Sequence, residues 1–149
     1  MFKSSTGLAA QMMVSNPFKT IMNLCFIKVF GGAEAPATAD AAETGTLLLT
    51  FSNAGGSTGL TWETAASGRA CVKKASETWS GTAVAGTATT ATYMRIVAAG
   101  DTGVSSTTQA RCQGSVGNIA GSDLFLANPA ITTGDVRTLA AFSVALPTN

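Results

Sequence analysis

Between Ala88 and Ala99 the residues sort into two faces with a period of two. Thr92, Met94, Ile96 and Ala98 fall on one side, Tyr93, Arg95 and Val97 on the other. That repeat belongs to a β-strand with one face on a core and the other on solvent or a partner. Met94 and Ile96 are therefore expected inside, and Tyr93 and Arg95 outside. Gly100-Asp101-Thr102-Gly103 follows at once, and its turn chemistry predicts an antiparallel return strand over Val104–Gln113.

The same reading gives strands at Leu24–Phe30, at Thr46–Phe51, around Leu60 and Trp62, at Arg69–Lys74, near Trp79, at Asp123–Ala127, and as one long element over Val136–Leu146. Turns rich in Gly, Asn, Asp and Ser separate them, and the glycines of 114–121 read as bulges and turns. Ala33–Gly45, with Pro36, Thr38 and Gly45, reads as a crossover loop around one short helical turn. About eight short strands without intervening long helices predict an all-β, antiparallel β-sandwich, most simply a jelly roll.

The first 23 residues differ. Met12, Met13, Val14, Phe18, Ile21 and Met22 concentrate bulky apolar groups there, and Asn16-Pro17 reads as the start of a short helix over about Pro17–Asn23. Two roles are open to this segment: a plug in one end of the core, or an arm that binds a neighbouring subunit. The organisation expected is an arm over 1–23 and a β-domain over 24–149.

Composition narrows the function more than it defines it. Ala, Gly, Ser and Thr make up about half of the 149 residues, charged residues are 11%, and the formal charge is +1 with both signs scattered. No nucleic-acid or anionic-membrane footprint is expected from such a distribution, and no apolar run is long enough for a membrane-spanning helix. The chain has no His, which removes Ser-His, Cys-His and His-ligated metal chemistry together. Cys25, Cys71 and Cys112 lack C-x-x-C spacing and are expected as reduced structural thiols, in keeping with assembly in a cytoplasm. The eight carboxylates form no alternating acidic cluster, and Asp101 and Asp135 sit where turns favour Asp. Neither a catalytic residue, a metal site nor a cofactor is expected. Trp62, Trp79 and Tyr93 could form a sugar-binding platform, the alternative being that both Trp rings close the core.

Three stretches carry a resemblance: CFIKVFGGAEAPATADAAETGTLL at 25–48, GTATTATYMRI at 86–96, and QGSVG at 113–117 followed by Asp123-Leu124 and TTGD at 132–135. Together they resemble the jelly-roll decoration, or cement, proteins of tailed-bacteriophage heads, over residues 24–147. The resemblance implies a non-enzymatic virion protein on the outer capsid surface, with the major capsid protein as partner. It also implies self-association, as a homodimer or alternatively a homotrimer. The partner-binding residues expected are Met12, Met13, Phe18, Tyr93 and Arg95. The competing expectation is a carbohydrate- or receptor-binding module of the virion.

Overall fold

The computed structural model describes residues 1–14, 16–65, 68 and 70–145. Its elements are β1 (Lys3–Ser4), α1 (Thr6–Val14), α2 (Phe18–Ile21), β2 (Phe26–Gly31), β3 (Thr46–Asn53), β4 (Ala70–Val72), β5 (Trp79–Thr82) and β6 (Thr89–Val97). After these come β7 (Arg111–Gly117), β8 (Leu124–Phe125), β9 (Ala130–Ile131), β10 (Val136–Leu139) and β11 (Ser143–Ala145). The fold is all-β, with two short helices. One large sheet runs in the order β1-β7-β6-β2-β3-β5-β10, with β8 paired to β7 and β9 to β6, and a separate pair joins β11 to β4. All pairings are antiparallel except β7 with β8.

The inner face of the sheet carries the apolar core. Ile27, Val29, Leu49, Phe51, Trp79, Met94, Ile96 and Cys112 pack there against Leu8, Met22, Leu60, Trp62 and Phe142. Trp62 sits edge-on to both Phe18 and Trp79, with ring centroids 5.4 Å and 5.3 Å away. Its indole N–H donates to the carbonyl of Met22 at 2.9 Å, so the buried polar edge of the ring is satisfied. Each fully buried large side chain of this kind contributes about 1.5–3 kcal/mol by leaving water.

Residues 1–23 share this core. β1 pairs with β7, Leu8 and Met22 are fully enclosed, and the Phe2 ring meets Phe142 edge-on at 6.2 Å. The sequence predicts one helix here, and there are two. α1 starts at Ser5, whose hydroxyl accepts from the Leu8 amide at 3.1 Å, the usual N-cap contact. The same hydroxyl accepts from the Arg111 amide and donates to the Gln109 carbonyl, which fastens the helix start to β7. α2 is a single turn, with the Thr20 and Ile21 amides donating to the Pro17 carbonyl.

Three strand boundaries differ from expectation for identifiable reasons. β7 begins at Arg111 rather than Val104, because Asp101 accepts from both Arg111 and the Gly103 amide while Ser106 closes a local turn onto Thr108 and Gln109. It then continues to Gly117, through glycines that read as turn. The long strand expected over Val136–Leu146 is two strands: Phe142 turns into the core, its carbonyl takes the Lys73 amide, and the chain changes partner from β5 to β4. Arg69, at the start of the strand expected at 69–74, and Leu146 lie outside the described residues.

Gly7 tests how tightly α1 is docked. A Cβ there would run into the backbone of Thr108 and Gln109, with no flexible side chain to give way. Gly7→Ala should therefore lower the unfolding free energy by about 1–3 kcal/mol despite the higher helix propensity of Ala, read as a lower denaturant midpoint. An unchanged or raised midpoint would show that α1 does not pack on the 106–109 loop.

Candidate functional site

The outer face of the sheet is where sequence and structure part most clearly. Tyr93 and Arg95 do point away from the apolar core, as their alternation with Met94 and Ile96 requires. Neither reaches solvent: both are 0% exposed. The cause is the segment 33–45, expected as a crossover loop, which lies as a strap across the outer face of β7, β6 and β2.

What holds the strap is a row of donors running across four neighbouring strands. Lys3, Gln113, Arg95 and Lys28 stand side by side in the register of β1, β7, β6 and β2. Gln113 donates to the Pro36 carbonyl at 2.8 Å, Lys3 to Ala37 at 3.2 Å and Arg95 to Thr38 at 3.3 Å. Lys28 completes the row with a 3.0 Å ion pair to Glu43. Near the end of the strap the Tyr93 hydroxyl donates to the Thr44 carbonyl at 2.7 Å and accepts from the Thr44 amide at 2.9 Å. Its ring stacks on Phe30 at 4.8 Å.

The strap is in turn tied to the N-terminal segment. Asp40 accepts from the Thr6 amide and hydroxyl at the start of α1, at 2.9 and 2.7 Å. A carboxylate there offsets the unpaired amides of the first helical turn. Beneath the strap's far end, Arg111 grips Asp101 through Nε and Nη2 at 2.6 and 2.8 Å, with neither side chain exposed. Burial alone would raise the Asp101 pKa, but the bonds from Arg111 and the Gly103 amide outweigh it and hold the carboxyl below its ordinary value. Burial pushes Arg95 below the usual guanidinium range, and the neighbouring Arg111 adds to that.

The expected partner-binding residues therefore divide. Met12 and Met13 lie together at the end of α1, 39% and 86% exposed, and are joined by Val14 at 82%. Phe18 is half-buried against Trp62. Tyr93 and Arg95 are strap-holding residues rather than an outward pair, which corrects their assignment as partner contacts. The aromatic platform is absent as well, since Trp62, Trp79 and Tyr93 are all enclosed. The residues missed were Gln113, Asp101 and Arg111, each inside a segment read as return strand or turn. A usable signal was present: long donors at outward positions of adjacent strands, opposite a strap whose side chains are mostly too short to answer them.

The remaining surface offers little chemistry. A groove of about 400 Å³ between β6, β7 and the 117–122 turn is lined by residues such as Thr90, Val116, Ile119 and Pro129, none of them ionisable. Among the described residues no group of three His, Cys, Asp or Glu side chains could hold a metal ion. No helix among them is long and apolar enough to cross a membrane. Burial pushes the Cys25 and Cys112 thiols up to about 12, and Cys71 is raised to a lesser degree. Comparison with protein-family models, curated proteins and solved structures returns no match.

Two predictions follow from the strap. Tyr93→Phe removes the hydroxyl that both donates to and accepts from Thr44, and should cost about 1–2 kcal/mol while speeding exchange of the Thr44 amide. An unchanged exchange rate would mean that the strap end is held by something else. A carboxyl with a lowered folded pKa binds fewer protons in the native state, so its stabilisation is complete above its unfolded value near 4 and is lost as pH falls through the folded value. Asp101→Asn should accordingly flatten the fall in melting temperature below about pH 4 and lower stability at neutral pH. An acid limb as steep as in the parent would contradict the pairing.

Proposed function

We propose that this protein is a capsid decoration, or cement, protein of the jelly-roll type. It binds the outside of a tailed-phage head and holds major capsid protein subunits together. One observation carries the reading beyond the sequence resemblance: three of the four exposed large apolar side chains of the N-terminal segment, Met12, Met13 and Val14, cluster at the end of a helix whose start is fastened to the domain. A mobile apolar arm would lose much conformational entropy on docking, whereas a helix already anchored through Ser5, Asp40 and Leu8 presents its apolar end at lower entropic cost. Methionine suits such a contact because its flexible side chain adapts to an irregular partner surface.

The rest of the molecule fits a passive bracket. A domain that joins two capsid subunits acts through multivalency, each further contact forming at high effective concentration, so interfaces of about 800 Å² per partner are enough. The receptor- or carbohydrate-binding reading loses its aromatic platform to the core and gains no other observation. In this proposal the protein is not an enzyme, takes no cofactor, and works on the virion surface, either as a homodimer or as a homotrimer.

The test is addition of purified protein to expanded heads that lack decoration. The parent should co-sediment with heads and raise the temperature at which they release DNA. Met12→Asp with Met13→Asp should weaken binding at least about tenfold, since two buried apolar contacts would be replaced by charges, while leaving the melting temperature of the isolated protein nearly unchanged. Failure of the parent to bind heads would overturn the reading. Undiminished binding by the double variant would move the contact off α1.

A further inference from the structure

Arg95 is a fully buried cation that no carboxylate contacts, although Glu43 and Asp101 are near enough to attract it. Its Nε donates to the Gln113 side-chain oxygen at 2.9 Å and its Nη2 to the Thr38 carbonyl at 3.3 Å, both neutral acceptors. Its Nη1 is buried with no hydrogen-bond partner. The four ion pairs among the described residues involve the N-terminus, Lys28, Arg111 and Arg137, and Arg95 is in none of them. An enclosed charge in that condition is costly, and buried charges are normally paired.

A second guanidinium beside it repeats the pattern. Arg111 is also 0% exposed, commits Nε and Nη2 to Asp101, and likewise leaves a buried Nη1 without a partner. The two residues lie on the same face of adjacent strands: Arg95 is opposite Gln113, and Arg111 is two positions along β7, opposite Val97. Diagonal neighbours in that relation sit about 7–8 Å apart at their Cα atoms, within reach of two long side chains. The buried or half-buried ionisable groups beneath the strap are Lys28, Arg95 and Arg111 against Glu43 and Asp101, three cations to two anions, while Lys3 at the end of the row is exposed to water. Asp40 faces α1 instead, where it holds Thr6.

From two orphan Nη1 atoms carried by neighbouring guanidinium groups and this single excess positive charge among the enclosed side chains, we infer that a small monovalent inorganic anion, of the size and charge of chloride, is bound between Arg95 and Arg111 under the 33–45 strap. The anion accepts from both Nη1 atoms, neutralises the layer, and is enclosed when the strap's carbonyls are gripped by Gln113, Lys3 and Arg95. It acts as a structural counter-ion, binding the folded state and not the unfolded one, so it adds stability by mass action. The inference is independent of any role on a phage head.

The experiment has two arms. Crystals of the full chain grown with sodium bromide should show a bromide anomalous peak in contact with both Nη1 atoms. In solution at constant ionic strength, replacing sodium gluconate by sodium chloride over a hundredfold range that starts at half-saturation should raise the melting temperature by about 5–10 °C. Arg95→Gln, which keeps a donor but removes the charge, should abolish that anion-specific rise. No bromide peak, with water between the two guanidinium groups, would overturn the inference. Equal stabilisation by gluconate and chloride would do the same, whether or not the variant folds.

Discussion

Capture of three consecutive strap carbonyls, those of Pro36, Ala37 and Thr38, by side chains from three adjacent strands is the contact on which the outer half of this fold depends. A sheet with only one covered face would leave Tyr93, Arg95 and Gln113 in water, where their bonds would be worth little. With the strap in place the same groups are enclosed, and each unmade bond would carry its full desolvation cost. The strap thus makes the polar row necessary, and the polar row fixes the strap. Asp40 passes the constraint on to α1, and Ser5 passes it back to β7, so helix, strap and sheet edge form one closed circuit of hydrogen bonds.

Much of the apolar layer was legible in the sequence. Met94 and Ile96 lie in the core because strand alternation puts them there, and Leu49 and Phe51 follow the same rule. Eight of the strands are three residues or longer, close to the number that the turns suggest. The outer layer was not legible, because alternation says which side of a sheet a residue faces and nothing about what covers that side. Tyr93 and Arg95 are the kinds of residue that mark interfaces, and here the partner is the chain's own segment 33–45. Ala, Thr, Asp and Gly in that segment carry no periodic signal; they answer the sheet with backbone carbonyls, which every sequence possesses.

The candidate site shows the same division. Met12 and Met13 stand in a segment whose apolar content suits a core plug as well as a partner-binding arm, and they lie exposed at the end of α1 while Leu8 and Met22 enter the core. α1 itself was hidden, since Gly7 at its second position argues against a helix until its close approach to Thr108 and Gln109 is known. The proposed head-binding role rests on that exposed end, while the strap encloses Tyr93, Arg95 and Gln113. Under the proposed role such a division would be useful, because the apolar contact is separate from the bonds that hold the domain together.

Cleavage by a glutamate-specific protease measures the strap's attachment most directly, since Glu34 and Glu43 are the strap's glutamates and lie near its two ends. If the carbonyl capture holds the strap as described, both sites should be cut only at the rate of global unfolding, rising with denaturant in step with loss of the whole fold. Rapid cleavage at Glu34 or Glu43 under native conditions, independent of denaturant, would show that the strap opens by itself and would contradict the account.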